Sequence, residues 1–194
     1  KKFTRTITVP FCFESPASGI GDPSFHPWIW YRRSFTVPEA WRGKRVWLRF
    51  QAVDYRAWVW VNGQYVGFHE GGSTPFGFDI TEQLKLGANI VTVRVEDPPT
   101  DRSIPRGKQY WEVKSRGIFY TRTSGIWQTV WLEAVEETHL ERVRITPEND
   151  GSVRFEAFIA HPRPGLEFHA LIHSEGKTVA STMTLAEGSP ATAV

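Results

Sequence analysis

The stretch VDYRAWVWVNGQYVG, Val53–Gly67, decides the fold. Successive side chains of a strand point to opposite faces. Trp58 and Trp60 therefore share one face, and Ala57, Val59 and Val61 share the other. Both faces are apolar or aromatic. Asn62-Gly63 then separates this run from a second one. Asn-Gly is the strongest short hairpin signal, because a type I′ turn needs positive φ at both central positions. One carboxylate, Asp54, stands at the mouth of the hairpin.

Outward from the hairpin, period-2 alternation continues. Val46, Leu48 and Phe50 alternate with Arg45, Trp47 and Arg49. Val91, Val93 and Val95 alternate with Thr92, Arg94 and Glu96, and Val130, Leu132 and Ala134 with Trp131 and Glu133. These are strand signatures. Helix is nearly absent: Thr81–Lys85 and Pro38–Arg42 each predict a single turn, the first stopped at Gly87. Many short strands with turn punctuation predict an all-β sandwich or jelly roll.

Near Val135–Glu141 (VEETHLE) the pattern changes. Trp and Tyr vanish from His139 onward, and new strands are predicted at about 140–146, 152–160, 166–174 and 177–185. An immunoglobulin-like sandwich needs about seven strands in roughly 100 residues. The second set predicts such a sandwich in incomplete form, with domains at 1–138 and 139–194.

Composition narrows the function classes. The chain has 194 residues, 14% of them aromatic and nine of them Trp, so large rings need an explanation beyond one core. The formal net charge of +2 is too small to argue for nucleic acid or an anionic membrane. The densest basic run, Arg102–Arg116, has Asp101 beside it and Glu112 within it, and reads as a solvated loop. No stretch approaches the 18 or more apolar residues of a spanning helix. Cys12 stands alone, which excludes an intrachain disulfide and leaves the compartment open.

Most catalytic and binding motifs fail on geometry. His169 and His173 fall on a strand pattern, which separates them by roughly 13 Å at about 3.3 Å per residue. No Cys pair offers zinc spacing. The glycines of Ser18–Pro23 and Arg106–Gln109 do not fit a strand-to-helix phosphate loop. No G-x-S-x-G elbow is present. Glu96 and Asp97, as neighbours on a strand end, point to opposite faces. Asp54 and Glu112 flank the aromatic strands, as functional acids or as solvated charges and turn caps. The Trp excess serves packing, or it offers rings to the apolar faces of sugars, beside carboxylates that orient hydroxyls.

Four blocks carry a resemblance. VPFCFESPASGIGDP at Val9–Pro23, WYRRSFTVP at Trp30–Pro38, VDYRAWVWVNGQYVGFHEGGSTPFGFDIT at Val53–Thr81 and GIFYTRTSGIWQTVWLE at Gly117–Glu133 agree in order and spacing. Over about residues 3–138 the sequence resembles the N-terminal sugar-binding domain of family 2 glycoside hydrolases, a family of β-galactosidases, β-glucuronidases and β-mannosidases. The remainder is similar to the start of that family's immunoglobulin-like domain.

The resemblance implies a jelly-roll, galactose-binding-domain-like sandwich, then a partial immunoglobulin-like β-sandwich. It also implies a downstream (β/α)₈ barrel that carries both catalytic glutamates. No catalytic residue, metal or cofactor is then expected within this chain. The implied partners are a carbohydrate substrate and the barrel of the same polypeptide, with no nucleic acid and no membrane. The implied substrate-contacting residues are Asp54, at the hairpin mouth, with Trp111 and Glu112 in the loop of about Asp97–Arg116. Phe119 stands where some galactosidases carry a metal-binding Asp, so no metal site is expected there. With Asp54 so assigned, Trp58 and Trp60 are expected to pack on a neighbouring layer or domain. Two other classes fit the same sequence: a free-standing carbohydrate-binding module and a structural interaction domain.

Overall fold

Alternation in the sequence becomes alternation in burial. In the computed structural model, which describes residues 3–194, the first strands are β1 (Trp28–Thr36), β2 (Arg45–Phe50), β3 (Val53–Asp54), β4 (Arg56–Val61) and β5 (Gln64–Glu70). They are followed by β6 (Phe76–Asp79), β7 (Ala88–Glu96), β8 (Gly125–Ile126) and β9 (Val130–Val135). Val46, Leu48 and Phe50 are buried along β2, while Arg45, Trp47 and Arg49 between them are only partly covered. The described helical structure is three single 3-10 turns, at Pro16–Ser18, Glu39–Trp41 and Thr81–Gln83. The last two are the turns expected from sequence.

Two sheets form a sandwich. One has the order β1-β7-β4-β5 and the other β6-β2-β9. Val46, Leu48 and Phe50 from one sheet meet Ala57, Val59, Val61, Val93 and Val95 from the other in a single buried cluster. Each large aliphatic or aromatic side chain buried here contributes about 1.5–3 kcal/mol. The β4–β5 hairpin turns through Asn62 at φ 51° and Gly63 at φ 83°, as a type I′ turn requires. Asn62 also ties the hairpin to its surroundings. Its side-chain amide donates to Gln83 O at 2.7 Å and to Asn89 Oδ1 at 2.8 Å.

Trp58 and Trp60 face outward from the four-stranded sheet. Within this sheet they are flanked by rings from other strands. Trp60 stacks on Trp30 at 5.7 Å, Trp58 lies 6.3 Å from Trp28, and Phe68 and Tyr65 close the row on β5. The Arg94 guanidinium sits over the Trp28 and Trp58 rings at 4.1 and 4.7 Å. Such cation–π contacts stabilise a partly exposed aromatic face.

Two short strands position the site. β3 pairs with β8, with Val53 opposite Ile126 and Asp54 opposite Gly125. Gly125 has φ +81°, and a Cβ there would collide with the Tyr31 hydroxyl. Only glycine satisfies both constraints.

The chain divides into two compact units, one up to Ala134 and one from Val135 to Val194. The second contains β10 (His139–Pro147), β11 (Val153–Ala160), β12 (Glu167–Ser174), β13 (Lys177–Leu185) and β14 (Ala191–Ala193). β10, β11 and β14 form one sheet and β12 pairs with β13. Four of these strands match the sequence expectation, whereas three-residue β14 was too short to announce itself. The buried core is small: Ala157, Ile159, Ala186 and Ala191, with Leu166 and Phe168 packed against it. His169 and His173 lie on strand β12, and His169 bonds Glu167 at 2.8 Å. Among the described residues no group of His, Cys, Asp or Glu could hold a metal, and no helix is long and apolar enough to cross a membrane.

Candidate functional site

Between β7 and β8 the chain runs from Asp97 to Ser124 with no strand of its own. Loops longer than about 12–15 residues without secondary structure are uncommon in compact domains and usually functional. This one is tied at its neck. The Ser124 hydroxyl donates to Asp97 Oδ2 at 2.5 Å, joining the two ends. The Ser124 N–H donates to Glu14 Oε2 at 3.2 Å, bringing in the N-terminal segment.

Asp54 closes the same neck from β3. Gln109 Nε2 donates to Asp54 Oδ2 at 2.9 Å, while Gln109 Oε1 accepts from the Thr123 N–H at 2.6 Å. One amide thereby pins the middle of the loop to the hairpin mouth and to the loop's own return. Gly72 lies against the other Asp54 oxygen, so closely that a Cβ there would collide with it. The Gly72 carbonyl in turn accepts from Trp127 Nε1 at 2.8 Å.

Three carboxylates meet here under cover. Asp54 and Asp97 are each 6% exposed, and Glu14 is 7% exposed. Among the described residues none of the three has an ion-pair partner. Two guanidiniums are near, yet their hydrogen bonds go to backbone carbonyls. Arg106 donates to Pro98 O at 3.2 Å, Pro99 O at 2.9 Å and Asp101 O. Arg122, 3% exposed, donates to Glu112 O at 2.9 Å, Tyr110 O at 3.3 Å and Pro23 O. Glu14 Oε1 and Arg106 Nε are buried without a hydrogen-bond partner.

The electrostatic result is a set of acids whose charged forms are disfavoured. Burial, reinforced by the charge of Asp97, pushes Asp54 up to about 7 against the opposing pull of Gln109 and Arg106. Burial likewise raises Asp97 and Glu14. Desolvation disfavours the charged form of any carboxyl that lacks a compensating partner.

The far part of the loop is built differently. Tyr110, Trp111 and Phe119 form a ring cluster with centroids 4.8–5.1 Å apart. Arg102 lies over Trp111 at 4.3 Å, and the Arg116 Nε donates to the Tyr110 hydroxyl at 2.7 Å. Val113, Ile118 and Tyr120 stand exposed around this cluster.

Of the three residues proposed from sequence, Trp111 and Glu112 sit together on this loop, Trp111 partly covered and Glu112 exposed. Asp54 lies at the neck with its carboxylate turned inward. Glu14, Asp97, Gln109, Arg106 and Arg122 escaped sequence reasoning, because nothing in linear spacing links positions so far apart. The one available signal was Asp97. Its face opposite Glu96 is the inner one, where an acid needs a reason to be.

The family model for glycosyl hydrolases family 2, sugar binding domain, matches residues 2–134. This chain belongs to that family. The chain is 39% identical over 116 residues to a β-galactosidase of Thermoanaerobacter pseudethanolicus, covering 59% of this chain and 14% of that protein. It is 29% identical over 198 residues to the β-glucuronidase of Canis lupus familiaris, covering 91% of this chain and 30% of that protein. Among solved structures, the β-glucuronidase of Bifidobacterium dentium complexed with coumarin-3-O-glucuronide aligns with a TM-score of 0.71 at 23% identity, over 91% of this chain and 34% of that one. That likeness supports the fold. The chain spans under a third of the length of the two curated relatives.

Proposed function

We propose that this chain is the non-catalytic N-terminal part of a retaining β-glycosidase. Its sugar-binding domain, at about 1–138, and an immunoglobulin-like sandwich, at 139–194, precede a (β/α)₈ barrel in the same polypeptide. The Asp97–Ser124 loop borders the sugar site of that barrel, with a β-galactoside or β-glucuronide as the substrate class that the relatives' names favour. The observation that carries this is a long loop gripped by buried polar groups at its root while it presents Trp111, Glu112 and exposed apolar side chains at its far end. Binding residues are disproportionately held on loops by a rigid scaffold.

Trp111 and Glu112 are the proposed sugar contacts, one offering ring surface and the other an acceptor. Asp54 was expected from sequence to accept a hydrogen bond from a sugar hydroxyl directly. With 6% of its surface exposed and Gln109 already on Oδ2, its proposed role is to position the loop. Catalysis itself needs an acid/base and a nucleophile about 5–5.5 Å apart, flanking the glycosidic bond. That pair is assigned to the C-terminal face of the barrel, where such folds place their chemistry.

The test uses the polypeptide extended through its third domain. Aryl β-galactoside, β-glucuronide, β-mannoside and β-glucoside are supplied in turn, and the anomer released first is identified by NMR. Turnover of one of them with retention supports the proposal. A folded protein that turns over none, yet binds sugar through residues 1–138 alone, would move the assignment to a carbohydrate-binding module. In the active protein Asp54→Ala should lower kcat/KM about ten- to a hundredfold, the equivalent of roughly 1.5–3 kcal/mol.

A further inference from the structure

The neck of the loop has an uncommon arrangement of charge. Buried acids are normally paired. Here Asp54, Asp97 and Glu14 converge while both nearby guanidiniums bond to carbonyl oxygens of the loop and the N-terminal segment. Arg106 and Arg122 thus fix backbone shape and offset the charge of the acids only in part. Among the described residues, Gln109 is the one side chain of the loop hydrogen-bonded to Asp54, and both ends of its amide are used.

We infer that Gln109 is the positioning residue of the Asp97–Ser124 loop, and that the neck it closes is a proton-operated latch, closed when Asp54 carries a proton and loosened when Asp54 ionises among the buried acids. A neutral Asp54 leaves its carbonyl oxygen free to accept from Gln109 Nε2. An ionised Asp54 faces Asp97 at the end of β7 and Glu14 from the N-terminal segment. Against them stand the Gln109 hydrogen bond and the charge of Arg106, while Arg122 lies toward Asp97 and Glu14, and burial outweighs both. Among the other titratable groups, Cys12 and Tyr31 lie toward Glu14, and His69 stands behind the Gly71–Gly72 turn, with Nε2 3.2 Å from Gly71 O. Burial lowers its pKa, which disfavours its charged form. Opening the neck to water is then the way the ionised carboxylate recovers its hydration.

The direction follows from linkage. A carboxyl whose pKa is higher in the closed state than in the open one favours closure below its closed-state pKa. It loses that contribution as pH rises from the open-state value toward the closed-state value. With about 3.8 open and about 7 closed, closure weakens between pH 4 and 7 and stays weakened above. The inference deepens the proposed function, since that proposal places this loop at a sugar site. It is tested, however, on this chain alone.

Hydrogen exchange of the 194-residue chain, followed by mass spectrometry and corrected for the intrinsic pH dependence of exchange, reads the latch directly. Peptides covering 106–124 should lose protection by about tenfold or more between pH 5 and pH 8, while peptides from β4 and β7 hold theirs. Asp54→Asn should keep the loop protected at both pH values. Gln109→Ala should leave it unprotected at both. If Asp54→Asn fails to protect its own core strands, Asp97→Asn takes its place. Removing that neighbouring charge should move the loss of protection to lower pH. Loop protection that does not change with pH in the parent chain overturns the latch, as does an Asn variant whose loop follows the parent's pH dependence. Neither result touches the glycosidase assignment, which stands or falls on turnover.

Discussion

Asp54 stands at the hairpin mouth, where the sequence puts it, among neighbours that the sequence does not name. Its place at the hairpin mouth is legible, because Val53, Ala57, Val59 and Val61 alternate around it. Its neighbours are not, because Glu14, Asp97 and Gln109 reach it only through tertiary folding. The raised pKa makes a stability prediction with a definite sign. Native Asp54 binds its proton up to about pH 7, and unfolded Asp54 releases it near 3.8. The free energy of unfolding should therefore fall as pH rises from 4 to 7, by an amount on the order of 4 kcal/mol from this group. Urea titrations of the parent and Asp54→Asn across that range isolate the effect, and a constant difference between them would refute it. Gly72 gives a second test at this scale. Gly72→Ala drives a methyl group into the Asp54 carboxylate. It should destabilise by about 1–3 kcal/mol, as overpacking does, and Asp54→Gly should relieve that penalty in a double-mutant cycle.

At the scale of elements, strands were readable and their fastening was not. Val46, Leu48, Phe50 and the Asn62-Gly63 turn obey local rules that operate on neighbours in sequence. What locks the β4–β5 hairpin to the start of β7 is an amide pair from distant positions, half-buried Asn62 and Asn89. Asn89 is fully buried. Its Oδ1 accepts from Asn62 Nδ2 and from the Lys85 N–H, both at 2.8 Å, and its Nδ2 donates to Lys85 O and Gly87 O, both at 3.1 Å. In the sequence Asn89 is one polar residue at the edge of an apolar run. Asn89→Leu keeps the approximate volume and leaves these partners unsatisfied, so about 2–4 kcal/mol of stability should be lost. The same alternation rule predicted Trp58 and Trp60 on one face, but not what covers them. Their partners Trp28, Trp30, Tyr65 and Phe68 come from the flanking strands of the same sheet, and register across strands is not encoded in any single one.

For the whole molecule, the two units differ in how much apolar surface each hides. The first buries Phe50, Ile80 and a row of valines in one cluster, while the cluster of the second holds only three alanines and Ile159. Leu171, Val179, Met183 and Leu185 of β12 and β13 stay exposed. Since burial contributes about 25 cal/mol per Å² of apolar surface, the second unit should be the weaker. The distribution of Trp makes this measurable without labels. All nine Trp lie at or before Trp131, so Trp fluorescence reports the first unit alone, whereas far-UV circular dichroism reports the strands of both. In a urea titration the circular dichroism signal should begin to fall at lower denaturant than the fluorescence signal. Coincident curves are the mark of two-state unfolding, and finding them would show that the two units melt as one despite the thin core of the second.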